Sequence, residues 1–126
     1  MTFEEFIECY EFRIKVKKDT SYDNSDGKWD VNASHYKITL KSPYFKGKFK
    51  SEYHCGPASK PNIRDFLYCI QSDCYASHYT YEEFCGEFEE ESVDGYKCWQ
   101  KCVEVYRKMT QYLGLIMEEF EDLTEE

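Results

Sequence analysis

At 126 residues, with 41% hydrophobic and 18% aromatic content, the chain has the material for one domain with one core. Its formal net charge is −9, from 16 basic and 25 acidic side chains, and no run approaches the roughly 20 apolar residues of a helical membrane span, which excludes that class. The start MTFEEFIE is acidic and has no apolar stretch of the secretory kind, so the expectation is a cytoplasmic protein whose seven cysteines are buried thiols or metal ligands rather than disulfides.

Thr2 with Glu5 makes a weak capping-box pattern for a short helix over 3–8. From Tyr10 the pattern alternates, with Tyr10, Phe12, Ile14 and Val16 on one face and Glu11, Arg13, Lys15 and Lys17 on the other, the period of a half-buried strand. Residues 19–30, DTSYDNSDGKWD, collect turn formers and read as a loop with Trp29 near its end. A second strand sets Tyr36, Ile38 and Leu40 against His35, Lys37, Thr39 and Lys41, and Ser42-Pro43 supplies a turn. A third sets Phe45, Gly47, Phe49, Ser51 and Tyr53 against Lys46, Lys48, Lys50 and Glu52. Three such runs predict an antiparallel meander over 1–56, apolar on one face and lysine-rich on the other. The lysine face reads as solvated, its charge discouraging edge pairing.

Residues 57–126 read as a helical layer. Ser59 and Pro61 suit the first turn of a helix whose stripe is Ile63, Phe66, Leu67, Ile70 and Cys74, with Asn62 and Asp65 on the far side. Thr80 and Glu83 form a second capping box, for a short helix carrying Phe84, Cys85 and Phe88. After the acidic stretch 87–92, Ser92 or Asp94 caps the longest helix, with a stripe of Trp99, Cys102, Val103, Tyr106, Met109 or Thr110, and Leu113. Gly114 breaks or bends it, and Ile116, Phe120 and Leu123 continue a weaker helical pattern. The predicted fold is α+β in a single domain, 1–126: a three-stranded antiparallel sheet followed by three or four helices packed on one of its faces.

The chain has no GxGxxG, GxxxxGK[ST], HExxH or GxSxG, so the usual nucleotide and hydrolase machinery is missing and the expectation is a protein that is not an enzyme. A Cys–His dyad using His35, His54 or His78 is the less favoured alternative. Metal chemistry has a better candidate. Cys74 and His78 stand one helical turn apart, and His54 with Cys55 at the end of the third strand completes a Cys2His2 set suited to structural zinc. Ligation by both members of the 54–55 pair requires the strand to end there, since consecutive strand residues point to opposite faces. Cys69, Cys85 and Cys98 are alternative ligands, but Cys69, Cys85 and Cys102 lie on or beside apolar stripes and read first as core.

Charge is divided along the chain. Residues 1–60 hold 11 basic and 9 acidic side chains, a net +2, whereas 61–126 hold 5 and 16, a net −11. Such an acidic half repels nucleic acid and is drawn to basic protein grooves. The candidate contacts are Glu82, Glu83, Glu87, Glu89, Glu90, Glu91 and Asp94, with the acids of the C-terminal stretch as a second patch and Trp29, Tyr75 or Tyr79 as aromatic contributors to an interface.

From about residue 35 to residue 114, roughly two thirds of the chain, the sequence resembles a family of small phage- and prophage-encoded acidic proteins. The similarity is carried by YFKGKF, the His54 position, Pro61 followed by DFLYCIQSD, YEEFCGEF, an acidic S-x-x-x-Y segment, and Trp99, Cys102 and Met109 in the long helix. It implies that Cys69, Cys85 and Cys102 are packing residues and that Cys55, Cys74 and Cys98 are additions, so a zinc site would be a local elaboration. It also implies an anti-CRISPR protein of the host cytoplasm, inhibiting a type II Cas effector nuclease by stoichiometric binding through its acidic surface. Such a protein would interfere with DNA loading without itself touching nucleic acid. The alternative is a phage structural or regulatory domain with a structural zinc.

Overall fold

A computed structural model of the chain describes residues 1–19, 34–55, 60–88 and 93–125, the side chains at 34, 54, 55, 87, 88, 93 and 94 excepted. Helix α1 (Phe3–Cys9) precedes three strands, β1 (Arg13–Lys18), β2 (Ser34–Lys41) and β3 (Phe49–Cys55). Helices α2 (Ile63–Ala76), α3 (Tyr81–Phe88) and α4 (Val93–Leu113) follow, then a 3-10 turn (Gly114–Ile116) and α5 (Met117–Glu121). The sheet is antiparallel in the order β1-β2-β3, so the α+β class and the meander expected from the alternation are present. Among the described residues no helix is long and apolar enough to cross a membrane.

Register decides which side chains meet the helices. Val16 stands opposite Ile38, and Leu40 lies between Ile14 and Phe49, so these residues share one face. There Ile38, Leu40 and Phe49 are buried against Phe66, Leu67 and Ile70 of α2 and Met109 and Leu113 of α4, within one cluster of core residues. Phe6 closes one end, its ring 5.1 Å from Phe12 and 5.8 Å from Phe120.

Three boundaries differ from the alternation. The first strand begins at Arg13 rather than Tyr10, because α1 is closed by a left-handed turn: Glu11 has φ 52°, its N–H donates to Glu8 O at 3.3 Å, and the Phe12 N–H reaches Ile7 O at 2.9 Å. That motif needs an apolar residue just past the helix, so Phe12 mimics a strand position while serving as the seal on α1. The third strand begins at Phe49, since Gly47 with φ +84° keeps the preceding residues in the turn. Helix α2 begins at Ile63 and is capped by Asn62, whose Oδ1 accepts the Asp65 N–H at 2.8 Å, so Pro61 precedes its first turn; Ser59 lies outside the described residues.

The face of α4 is also rotated from the expected stripe. Val105, Met109, Tyr112 and Leu113 are buried, whereas Val103 is 38% exposed. Gly114, at φ +61°, turns the chain into α5, where Met117 and Phe120 are buried, followed by Leu123. Thr124 then pairs with Thr2 in a parallel bridge, its N–H donating to Met1 O at 3.1 Å.

Candidate functional site

The proposed zinc ligands occupy different environments. Cys74 is wholly buried in the core, and burial, with Glu121 adding to it, pushes its thiol up to about 12. A metal binds the thiolate, which that environment disfavours. His78 lies in the turn after α2, half exposed, with its Nε2 3.1 Å from Glu121 Oε1 and its ring 4.9 Å from that of Tyr106. Positions 54 and 55 are the last two of strand β3, paired with His35 and Ser34; the side chains of His54 and Cys55 lie outside the described residues. Among the described residues no three His, Cys, Asp or Glu side chains are grouped to hold a metal ion. Of the alternative ligands, Cys85 is buried, Cys69 is half-buried with its Sγ 3.5 Å from Tyr53 Oη, and Cys98 is exposed.

Of the acidic contacts expected on and after α3, Glu82 and Glu83 are exposed in its first turn, where carboxylates suit the positive helix end. Glu83 is engaged: its Oε1 accepts the Thr80 N–H at 3.1 Å while its own N–H reaches Thr80 Oγ1 at 3.2 Å, the reciprocal pair that the capping box predicts. Glu89, Glu90, Glu91 and Trp29 lie outside the described residues, as do the side chains of Glu87 and Asp94.

The fold adds carboxylates that the sequence reading did not join to these. The Thr2–Thr124 bridge brings α1, with Glu4, Glu5 and Glu8 exposed, beside α5, with Glu118 and Asp122 exposed. Tyr10 Oη donates to Glu119 Oε2 at 2.8 Å, a bond that raises the Tyr10 hydroxyl to about 12. The His78–Glu121 contact ties α5 in turn to the approach to α3. Acids of the two ends of the chain, on α1 and α5, thus become neighbours. Basic side chains are spread differently: Arg13, Lys15, Lys17, Lys37, Lys41 and Lys50 are all exposed on the open face of the sheet, while Arg64 of α2 meets Glu4 with its Nε 2.6 Å from Oε1 and Lys108 pairs with Glu104 along α4. The sheet register sets Arg13 opposite Lys41 and Lys17 opposite Lys37, like charges that weaken the pairing.

Between α2, α3 and α4 lies a cavity of about 600 Å³, within the range of small-molecule sites. Its walls include Tyr68, Tyr75 and Tyr79 from one side of α2 and the turn after it, Phe84 from α3, and Cys98 and Cys102 from α4. Beneath it Ala76, Phe84 and Cys102 form a small apolar cluster separate from the main core, with Trp99 packed against it and donating Nε1–H to Tyr79 O at 2.8 Å. Tyr68 and Tyr75 remain 43% and 60% exposed. Asp73 also lines the cavity. Burial raises its carboxyl above the usual range, nearby Lys101 partly offsets this, and among the described residues its side chain makes no hydrogen bond or ion pair. A carboxyl partly withdrawn from solvent and lining this cavity marks a binding-site candidate. No family model matches the chain, and no curated protein or solved structure gives a significant match to it.

Proposed function

We propose that this protein acts by stoichiometric binding to a basic groove on a protein partner, and that the partner is a type II Cas effector nuclease, which it inhibits as an anti-CRISPR protein. The observation that carries the binding reading is the meeting of exposed carboxylates of α1 and α5 in one surface, where Arg64 pairs with Glu4, while Arg13, Lys15, Lys17, Lys37, Lys41 and Lys50 lie on the open sheet face. A surface of that kind is attracted to a channel built to hold nucleic acid. The choice of partner rests on the resemblance of residues 35–114 to small phage proteins. A type II effector holds its guide-RNA–DNA heteroduplex in a positively charged channel, and an acidic protein seated there would keep DNA from loading.

The test is DNA cleavage by a small panel of type II effectors, with the protein added before or after guide and before or after DNA. Inhibition that saturates at one protein per effector and is lost once DNA is loaded is expected. Reversing Glu4, Glu8, Glu82, Glu118 and Asp122 to Lys should slow association at low salt by about tenfold or more and flatten its salt dependence. Undiminished inhibition by the reversed protein would reject the acidic surface; failure to inhibit any effector would reject the partner.

A further inference from the structure

We propose that the cavity between α2, α3 and α4 is a receptor for an organic cation, an ammonium or guanidinium group on an apolar stem, with Asp73 as its counter-ion and Tyr68, Tyr75 and Tyr79 as aromatic walls. The inference rests on the cavity and stands whether or not the acidic surface engages a Cas effector.

The lining selects among ligand classes. An anion would meet Asp73, and a purely apolar molecule would leave that carboxyl desolvated and unpaired, at a cost that a cation removes. A metal ion would need Asp73 grouped with the thiols of Cys98 and Cys102, and among the described residues no three His, Cys, Asp or Glu side chains are so grouped. Tyr and Phe rings attract a cation to their faces at about 6 Å or less, and four such side chains line this space. The volume of about 600 Å³ exceeds what a charged group alone would fill, so most of it accommodates the stem. Among the described residues opposite charge comes from Lys101, which lines a smaller cavity of about 200 Å³ together with Asp73 and favours its ionised form without forming an ion pair with it. The exposed faces of Tyr68 and Tyr75 are then the entrance.

Such a group can come from a free amine or from a lysine or arginine side chain of another protein, and the test separates the two. The full chain is titrated with phenethylammonium, agmatine and the neutral 2-phenylethanol, and with a short apolar peptide carrying one arginine or, as control, citrulline. Binding is followed by two-dimensional NMR at the resonances of residues 68–84. Saturable shifts with the cations, at least about tenfold weaker for the neutral counterparts, are expected. Asp73→Asn should weaken cation binding by about tenfold or more while leaving 2-phenylethanol binding and the circular dichroism spectrum unchanged. Tyr75→Ala, at an exposed position, should weaken it a few fold and Tyr75→Phe should restore it. Preference for the free amines or for the arginine peptide identifies the source, and either supports the site. Equal binding of charged and neutral probes, binding insensitive to Asp73→Asn, or no saturable binding of any cation overturns it.

Discussion

Gln71 and Asp73 stand two residues apart on α2, and burial acts on them in different ways. The Gln71 amide Nε2 lies 3.2, 3.1 and 2.9 Å from the carbonyl oxygens of Phe120, Glu121 and Leu123 at the end of α5, where Phe120 O also accepts the Leu123 N–H at 3.2 Å. Gln71→Ala removes the side-chain donor from Glu121 O and Leu123 O and should cost about 1–3 kcal/mol in denaturant unfolding. Gln71→Glu should cost more, because a carboxylate would face the same three carbonyls with no proton to offer. Asp73 has the reverse problem. Its carboxyl is raised by burial, so the folded state holds the proton more tightly than the unfolded chain. Its favourable contribution is therefore complete below the ordinary carboxylate range and is lost as pH rises through the folded value. Asp73→Asn should melt higher than the parent at pH 7, with the difference closing below about pH 4, where both states carry the proton. A carboxyl that weakens the fold at neutral pH is what a binding role, rather than a packing role, would retain.

At the level of elements, caps and buried stripes were readable because they are local. The Thr80–Glu83 box depends on residues three apart, and Thr80→Ala should lower stability by about 1 kcal/mol, seen as an earlier thermal transition and faster amide exchange in α3. The stripe Phe66, Leu67, Ile70 and Cys74 was legible for the same reason: 3.6-residue periodicity against a single sheet face leaves one orientation for α2. Alternation misled at Tyr10–Phe12, where an apolar residue sealing a helix end has the spacing of one entering a strand. On α4, Val103 fits the period as well as Val105 does, and only contact with the sheet and α2 decides between them. Tyr75 and Tyr79 stood out as interface aromatics, but Asp73 did not, since its burial comes from residues about 30 positions away on α4. The joining of α1 to α5 had no local signal; it is made by the Thr2–Thr124 backbone bridge, the Tyr10–Glu119 hydrogen bond and the Phe6–Phe120 contact, all between residues more than 100 positions apart.

For the molecule as a whole, the sheet and the two termini share one core, while α3 and the start of α4 rest on a smaller cluster around Ala76, Phe84 and Cys102. The thiols sample both regions and the surface. Cys9 and Cys98 are exposed, Cys102 lies in the smaller cluster with its thiol pushed up to about 12, and Cys74 is wholly enclosed in the larger one. Alkylation requires both access and thiolate. With iodoacetamide at pH 8, Cys9 and Cys98 should be modified first, Cys102 when α3 and α4 part, and Cys74 only when the entire fold opens, an order that peptide mass spectrometry can read. Equal rates at Cys98 and Cys74 would contradict the burial described. The chain therefore carries its own graded stopwatch: without any added label, the lag between the second and third of these reactions measures how far the helical corner loosens before the rest of the protein does.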